Sequence, residues 1–225
     1  SLSDLDALRS DSSVNFIYID RPVSIQLQTS VPLINATAVA PLVFRGQNVT
    51  GGGQTVCVID TGINYGHPDL GGCTSAEFTS GTCAKVLGGW DFFNGDNDPF
   101  DDHGHGTHVS GIAAASGGIR GAAPDAKLVE IKALGAGGSG FISDVISGIE
   151  WCTFNATKYN ISIISMSLGG GLFAGNCDTD DPVLAAAIND AVMRNISVVA
   201  ASGNDESSTK MSSPTVAERK RTFFC

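Results

Sequence analysis

Apolar and polar positions along this chain alternate between two periods. Thr55-Val56-Cys57-Val58-Ile59-Asp60 is a short apolar run closed by Thr61-Gly62, the pattern of a parallel strand buried on both faces. Further strand-like runs fall at residues 86–93, 127–134, 161–168 and 198–201. Between them the period lengthens to that of a helix, over about 105–115, 142–154 and 182–194. Asp144 falls in the first turn of the second helix, where the helix dipole favours a negative charge. Asp181 before Pro182 joins a good N-cap to proline at the first helical position. Strands alternating with helices through short connections predict an α/β fold, a three-layer α/β/α domain with a parallel sheet covered on both faces. The ends break the pattern. Residues 2–9 form a helix-like scrap before the strand-like stretch 14–19. After Asn204 the chain turns polar, then basic through Glu218-Arg219-Lys220-Arg221, and no further strand–helix unit is expected.

Composition narrows the function classes. Charged residues are 16%, apolar residues 42%, and there are 28 glycines in 225 residues, a mix that fits a compact globular enzyme. The net charge of −10 argues against nucleic acid as a partner, because a phosphate-tracking surface needs clustered Lys and Arg. No stretch approaches the roughly 18–20 apolar residues of a membrane span. Cys73 and Cys83 bracket a short loop and are candidates for one disulfide, and Cys152 and Cys177 are candidates for a second. Cys57, mid-strand, reads as a small buried apolar residue. Asn-x-Ser/Thr sites at Asn35, Asn48, Asn155, Asn160 and Asn195 point, with the cysteines, to a secreted protein.

Three segments place polar groups at a strand's carboxyl end or a helix start, the edge where open parallel sheets build their sites. They are Val58-Ile59-Asp60-Thr61-Gly62, Asp101-Asp102-His103-Gly104-His105-Gly106-Thr107-His108, and Ala200-Ala201-Ser202-Gly203-Asn204. An Asp can fix a histidine tautomer, a His can take a proton from a nucleophile, and an Asn can donate to an oxyanion. Two other chemistries compete for these residues. His103, His105 and His108 could be read with Asp101 and Asp102 as a metal cluster, yet no Glu or Cys completes a set. Gly135-Ala136-Gly137-Gly138-Ser139-Gly140 satisfies the dinucleotide fingerprint Gly-x-Gly-x-x-Gly. That fold also needs an acidic residue at the end of the next strand, and residues 161–168 contain none.

The three segments, in this order, resemble the subtilisin-like serine proteases. The resemblance runs from about residue 8 to about residue 214. It implies that Asp60 is the triad aspartate, His105 the triad histidine and Asn204 the oxyanion-hole donor. It also implies that Ser167, Leu168 and Gly169 pair with substrate backbone, with Gly138, Ser139 and Gly140 as the opposite wall of the cleft. Asp69 matches a residue that binds calcium in some members. The oxygen-rich spacing of Asp96, Asp98 and Asp101 offers further candidate ligands beside Asp69 for a structural calcium, the alternative being a solvated acidic loop, and no cofactor is required for the chemistry. Residues 1–27 resemble the end of an inhibitory propeptide, 28–214 a catalytic domain incomplete at its C-terminal end, and 215–225 an atypical tail. The family's nucleophile lies in a Gly-Thr-Ser-Met/Ala run, and none of Ser207, Ser208, Ser212 and Ser213 follows Gly-Thr. The expectation is a secreted, monomeric serine endopeptidase acting on protein or peptide substrates, with its own propeptide as a partner. Its serine-bearing segment is absent from these residues, which leaves them inactive as they stand. The alternative is a non-catalytic homologue that binds peptides or a partner protein through the same cleft.

Overall fold

The computed structural model describes residues 31, 33–169 and 182–201, and the strand at 222–224. A short helix α1 (Ala36–Val39) and a hairpin of β1 (Val43–Phe44) and β2 (Gln47–Asn48) lead into the main sheet. The strands of that sheet are β3 (Thr55–Asp60), β4 (Val86–Asp91), β5 (Lys127–Lys132), β6 (Ile161–Met166), β7 (Ser197–Ala200) and β8 (Thr222–Phe224). They are hydrogen-bonded in the order β4-β5-β3-β6-β7-β8, every neighbouring pair parallel. Parallel neighbours require crossovers, which are supplied by α2 (Ser75–Thr79), α3 (His105–Ala114), α4 (Ile142–Phe154) with α5 (Ala156–Tyr159), and α6 (Pro182–Met193).

Side-chain alternation divides the interior into two cores. Val56 and Val58 of β3 and Leu128 of β5 pack with Ala114 of α3 and Phe78 of α2 on one face. Cys57 and Ile59 of β3 and Val129 and Ile131 of β5 pack with Ile149 of α4 and Leu184 and Ile188 of α6 on the other. Each fully buried Ile or Leu contributes about 1.5–3 kcal/mol. The result is the expected three-layer α/β/α arrangement.

Among the described residues two disulfides close the fold. Cys73–Cys83 forms as the spacing invites. The enclosed segment is more than a loop, because α2 lies inside it, started by a capping box in which Thr74 and Glu77 bond each other's backbone N–H. The Thr-x-x-Glu spacing carries that signal in the sequence. The second bridge corrects the expectation for Cys152. It joins Cys57, 95 residues away, with a Cα–Cα distance of 6.2 Å. Cys57 faces the α4 side of β3, and the last turn of α4 brings Cys152 over it, both without exposed surface. Cys177 lies outside the described residues. In the tail, 222–224 pairs with 198–200 and extends the sheet.

Candidate active site

β3 is the central strand at which the chain changes direction across the sheet. β5, reached through β4, lies on one side of it, and β6, reached through α4, on the other. Such a switch point opens a crevice at the strand's carboxyl end. Asp60 is the last residue of β3 and has no exposed surface. Its Oδ1 lies 2.7 Å from Nδ1 of His105, the first residue of α3. The Asp60 side chain is fully buried and that of His105 is 42% exposed, so the ring is held from below and open above. Oδ1 also accepts the Thr61 backbone N–H at 2.7 Å.

The residues around the pair account for the motif letter by letter. Gly106 packs on the strand end: a Cβ there would lie 2.2 Å from the Gly62 carbonyl oxygen and 3.1 Å from Cβ of Asp60. Only glycine lets α3 start close enough for His105 to reach Asp60. Gly62, at φ +109°, takes a left-handed conformation in which a Cβ would strike the Pro99 carbonyl oxygen at 2.6 Å. Thr107 Oγ1 donates to Asp101 Oδ2 and accepts the Asn64 N–H at 2.8 Å. Thr61 Oγ1 accepts the Gly106 N–H and donates to Asp101 Oδ1, each at 2.9 Å.

Asp101 is therefore the hub of the helix start. Besides the two threonine hydroxyls it accepts N–H groups from His103 at 3.0 Å, Gly104 at 2.8 Å and Thr107 at 2.9 Å. Burial pushes its carboxyl up, but the Gly104, Thr107 and His103 donors outweigh this and hold it below the ordinary aspartate value. The other candidate calcium ligands are likewise bonded within the protein. Asp69 accepts the N–H groups of Gly118 and Ile119. Asp96 accepts that of Asp98, and Asp98 accepts the Tyr65 hydroxyl at 2.9 Å. Among the described residues no group of three or more His, Cys, Asp or Glu is placed to hold a metal ion. His103 turns its Nδ1 to the His105 N–H at 3.3 Å, and His108 is exposed on α3.

The candidate substrate segments flank the pair. Ser167, Leu168 and Gly169 follow β6 directly. Gly138, Ser139 and Gly140 fold back after β5, where Gly135 N–H donates to Ser139 O and Leu134 bridges Gly140. Since β6 and β5 are the two neighbours of β3, both segments stand at the carboxyl edge on either side of Asp60. Gly138 also faces His103, whose Nε2 would lie 3.1 Å from a Cβ placed there. Asn204 lies outside the described residues, four positions beyond the end of β7.

Inspection of the motifs alone passes over Lys132 and Glu130. The Lys132 ammonium is buried and donates to the carbonyls of Thr61 at 2.7 Å and Leu134 at 3.0 Å and to Asp102 Oδ1 at 2.5 Å. It ties the ends of β3 and β5 to the loop that carries His103. Glu130 and Lys132 are charged residues in a central parallel strand that is buried on both faces. That is the sequence signal for them.

A family model for peptidase S8, the subtilase family, matches residues 51–220. The chain belongs to the subtilases. It is 38% identical over 221 residues to the serine protease AprX of Bacillus subtilis, covering 92% of this chain and 45% of that protein. It is 39% identical over 181 residues to subtilisin DY of Bacillus licheniformis, covering 79% and 55%. A crystal structure of a cold-adapted subtilisin-like serine proteinase superposes with a TM-score of 0.55 at 33% identity, over 73% of this chain and 53% of that one. This subtilase chain thus spans about half the length of the curated relatives it matches.

Proposed function

We propose that this subtilase hydrolyses peptide bonds as a serine-type endopeptidase, with His105 as general base and Asp60 as its orienting partner. The observation that carries the reading is the 2.7 Å contact between a fully buried Asp60 and a half-open His105 at the switch point of the sheet. Asp60 accepts from Nδ1–H, which leaves Nε2 as the basic nitrogen, and it stabilises the imidazolium formed when a serine gives up its proton. Asn204 donates to the oxyanion. Ser167, Leu168 and Gly169 on one side and Gly138, Ser139 and Gly140 on the other hold the substrate as an added strand. The chemistry needs side chains only and no cofactor.

Several finer points belong to the same proposal. The protein is secreted and monomeric, it acts on proteins or peptides, and residues 1–27 derive from its own inhibitory propeptide ahead of a catalytic region at 28–214. No serine follows Gly-Thr in the 225 residues. The nucleophile is therefore assigned to sequence outside them, and the 225-residue chain alone to an inactive state. The test is covalent labelling of this chain with a fluorophosphonate probe. No labelling is expected. Stoichiometric labelling would overturn the assignment of the nucleophile, and label that persisted in His105→Ala would also remove the role given to His105.

A further inference from the structure

Three carboxyls lie under the first turns of α3, and the proposed chemistry uses one of them. Asp60 meets His105, and Asp101 caps the helix. The third, Glu130, sits in the middle of β5 with no exposed surface. β3 and β5 pair with Val58 opposite Glu130 and Asp60 opposite Lys132. Glu130 therefore points to the same face of the sheet as Asp60, two positions back on the neighbouring strand. Ser110, one helical turn beyond Gly106, brings its Oγ to 3.1 Å from Glu130 Oε2. Glu130 Oε1 and Asp60 Oδ2 are both buried without a hydrogen-bond partner among the described residues.

Among the described residues nothing charged bonds to Glu130. Lys132, the cation on its own strand and face, directs its ammonium to Thr61 O, Leu134 O and Asp102 Oδ1, which uses all three of its protons. α3 presents the neutral Ser110 and, at its start, His105. β3 presents Asp60, and the loop before α3 presents Asp101. β4 places Gly89 beside Glu130, and its Asp91 turns to the backbone and side-chain N–H groups of Asn94. A carboxylate with one hydroxyl for company, among two other carboxylates, is unfavourable in such a site. Burial, reinforced by the negative charge of Asp60, holds the Glu130 carboxyl well above the ordinary range.

We infer that Glu130 is a positioning residue for the Asp60–His105 pair, seated as an uncharged acid under the histidine-bearing helix, where a change in its charge is felt at the His105 ring. The inference rests on the reading of Asp60 and His105 as a catalytic pair. With Glu130 neutral, Asp60 and Asp102 offset a protonated His105 and Lys132, and Asp101 is met by threonine hydroxyls and N–H groups. An ionised Glu130 adds a buried negative charge that no cation among the described residues bonds, and that charge favours the imidazolium.

The test is an NMR titration of the full chain, following the His105 ring and the Glu130 carboxyl carbon. In the unaltered protein, the Glu130 carbon is expected to titrate well above the exposed carboxylates of the same protein, and the His105 ring resonances to shift in step with it. In Glu130→Gln that response of the His105 ring is expected to vanish. A Glu130 carbon that titrates together with the exposed carboxylates would show an ordinary carboxylate and would overturn the inference. So would one whose titration leaves the His105 ring resonances unmoved, or a His105 response that persists in Glu130→Gln. If Glu130→Gln does not fold, the titration of the unaltered protein decides alone. None of these readouts depends on hydrolysis, so failure of the protease reading and failure of this coupling are distinguishable.

Discussion

Replacing Asp101 by alanine removes the acceptor at which the start of α3 is tied to the end of β3. Five hydrogen bonds end on this carboxylate, from Thr61 Oγ1, the N–H groups of His103, Gly104 and Thr107, and Thr107 Oγ1. A hydrogen bond to a charged group contributes roughly 1.5–3 kcal/mol, but the five are not additive. His103 and Gly104 are exposed, so water recovers part of what they lose. Thr61 is buried and is left without its acceptor. The net cost of Asp101→Ala should be about 3–5 kcal/mol, similar to breaking a buried ion contact and a sizeable share of a typical domain's 5–15 kcal/mol. The sign of the pH dependence follows from the lowered carboxyl. A depressed acid stabilises the fold above its unfolded value, 3.8, and that contribution disappears as pH falls through the lower folded value. Urea unfolding followed by far-ultraviolet circular dichroism should therefore show a gap between the two proteins at pH 7 that narrows below about pH 4. Asp101→Asn keeps one acceptor oxygen and should fall between them. A gap below about 1 kcal/mol at pH 7, or one that persists unchanged to about pH 3, would refute the account of Asp101 as the hub of the helix start.

Two other predictions use different physics. The Cys57–Cys152 bridge closes a loop of 95 residues. Its removal as Cys57→Ala with Cys152→Ala should lower stability by about 2–4 kcal/mol, and thiol titration of the native protein should find neither cysteine free. A free Cys57 would contradict the pairing. The Lys85 ammonium is buried against the carbonyls of Pro124 and Ala126, and burial, with Lys127 nearby, lowers it to about 8. The unfolded chain then binds more protons than the folded one between about pH 8 and 10.5, so this residue makes stability rise with pH across that window. Lys85→Met should remove the rise in thermal melts, and an unaltered slope would show that another group carries it.

Much of the fold was legible because its elements are set by local pattern. The apolar run at Thr55–Asp60 and the amphipathic stretch at Ile142–Phe154 have the bounds their periodicity predicts. The strands starting at Val86 and Lys127 end two residues early, at Asp91 and Lys132, where the chain turns to build the site edge. Asp60 and His105 were visible because a carboxylate at a strand end and a histidine at a helix start belong to one chemistry. Glycine at 106 was visible as a letter, but its reason, a 2.2 Å approach to Gly62 O, was not. Asp101 read as a candidate calcium ligand because an acidic run reads alike whether its oxygens meet a cation or backbone N–H groups.

The sequence by itself determined the α/β class and the buried strands, and it offered Cys73 and Cys83 as a candidate pair and Asp60 and His105 as candidates for the chemistry. These depend on periodicity and short spacing, which neighbours along the chain settle. Tertiary structure alone decided that Cys152 meets Cys57, that β3 lies between β5 and β6, and that Glu130 shares the underside of α3 with Asp60. Each of these depends on which strands become neighbours and which face a side chain takes. Close packing of distant segments sets both, and local pattern records neither.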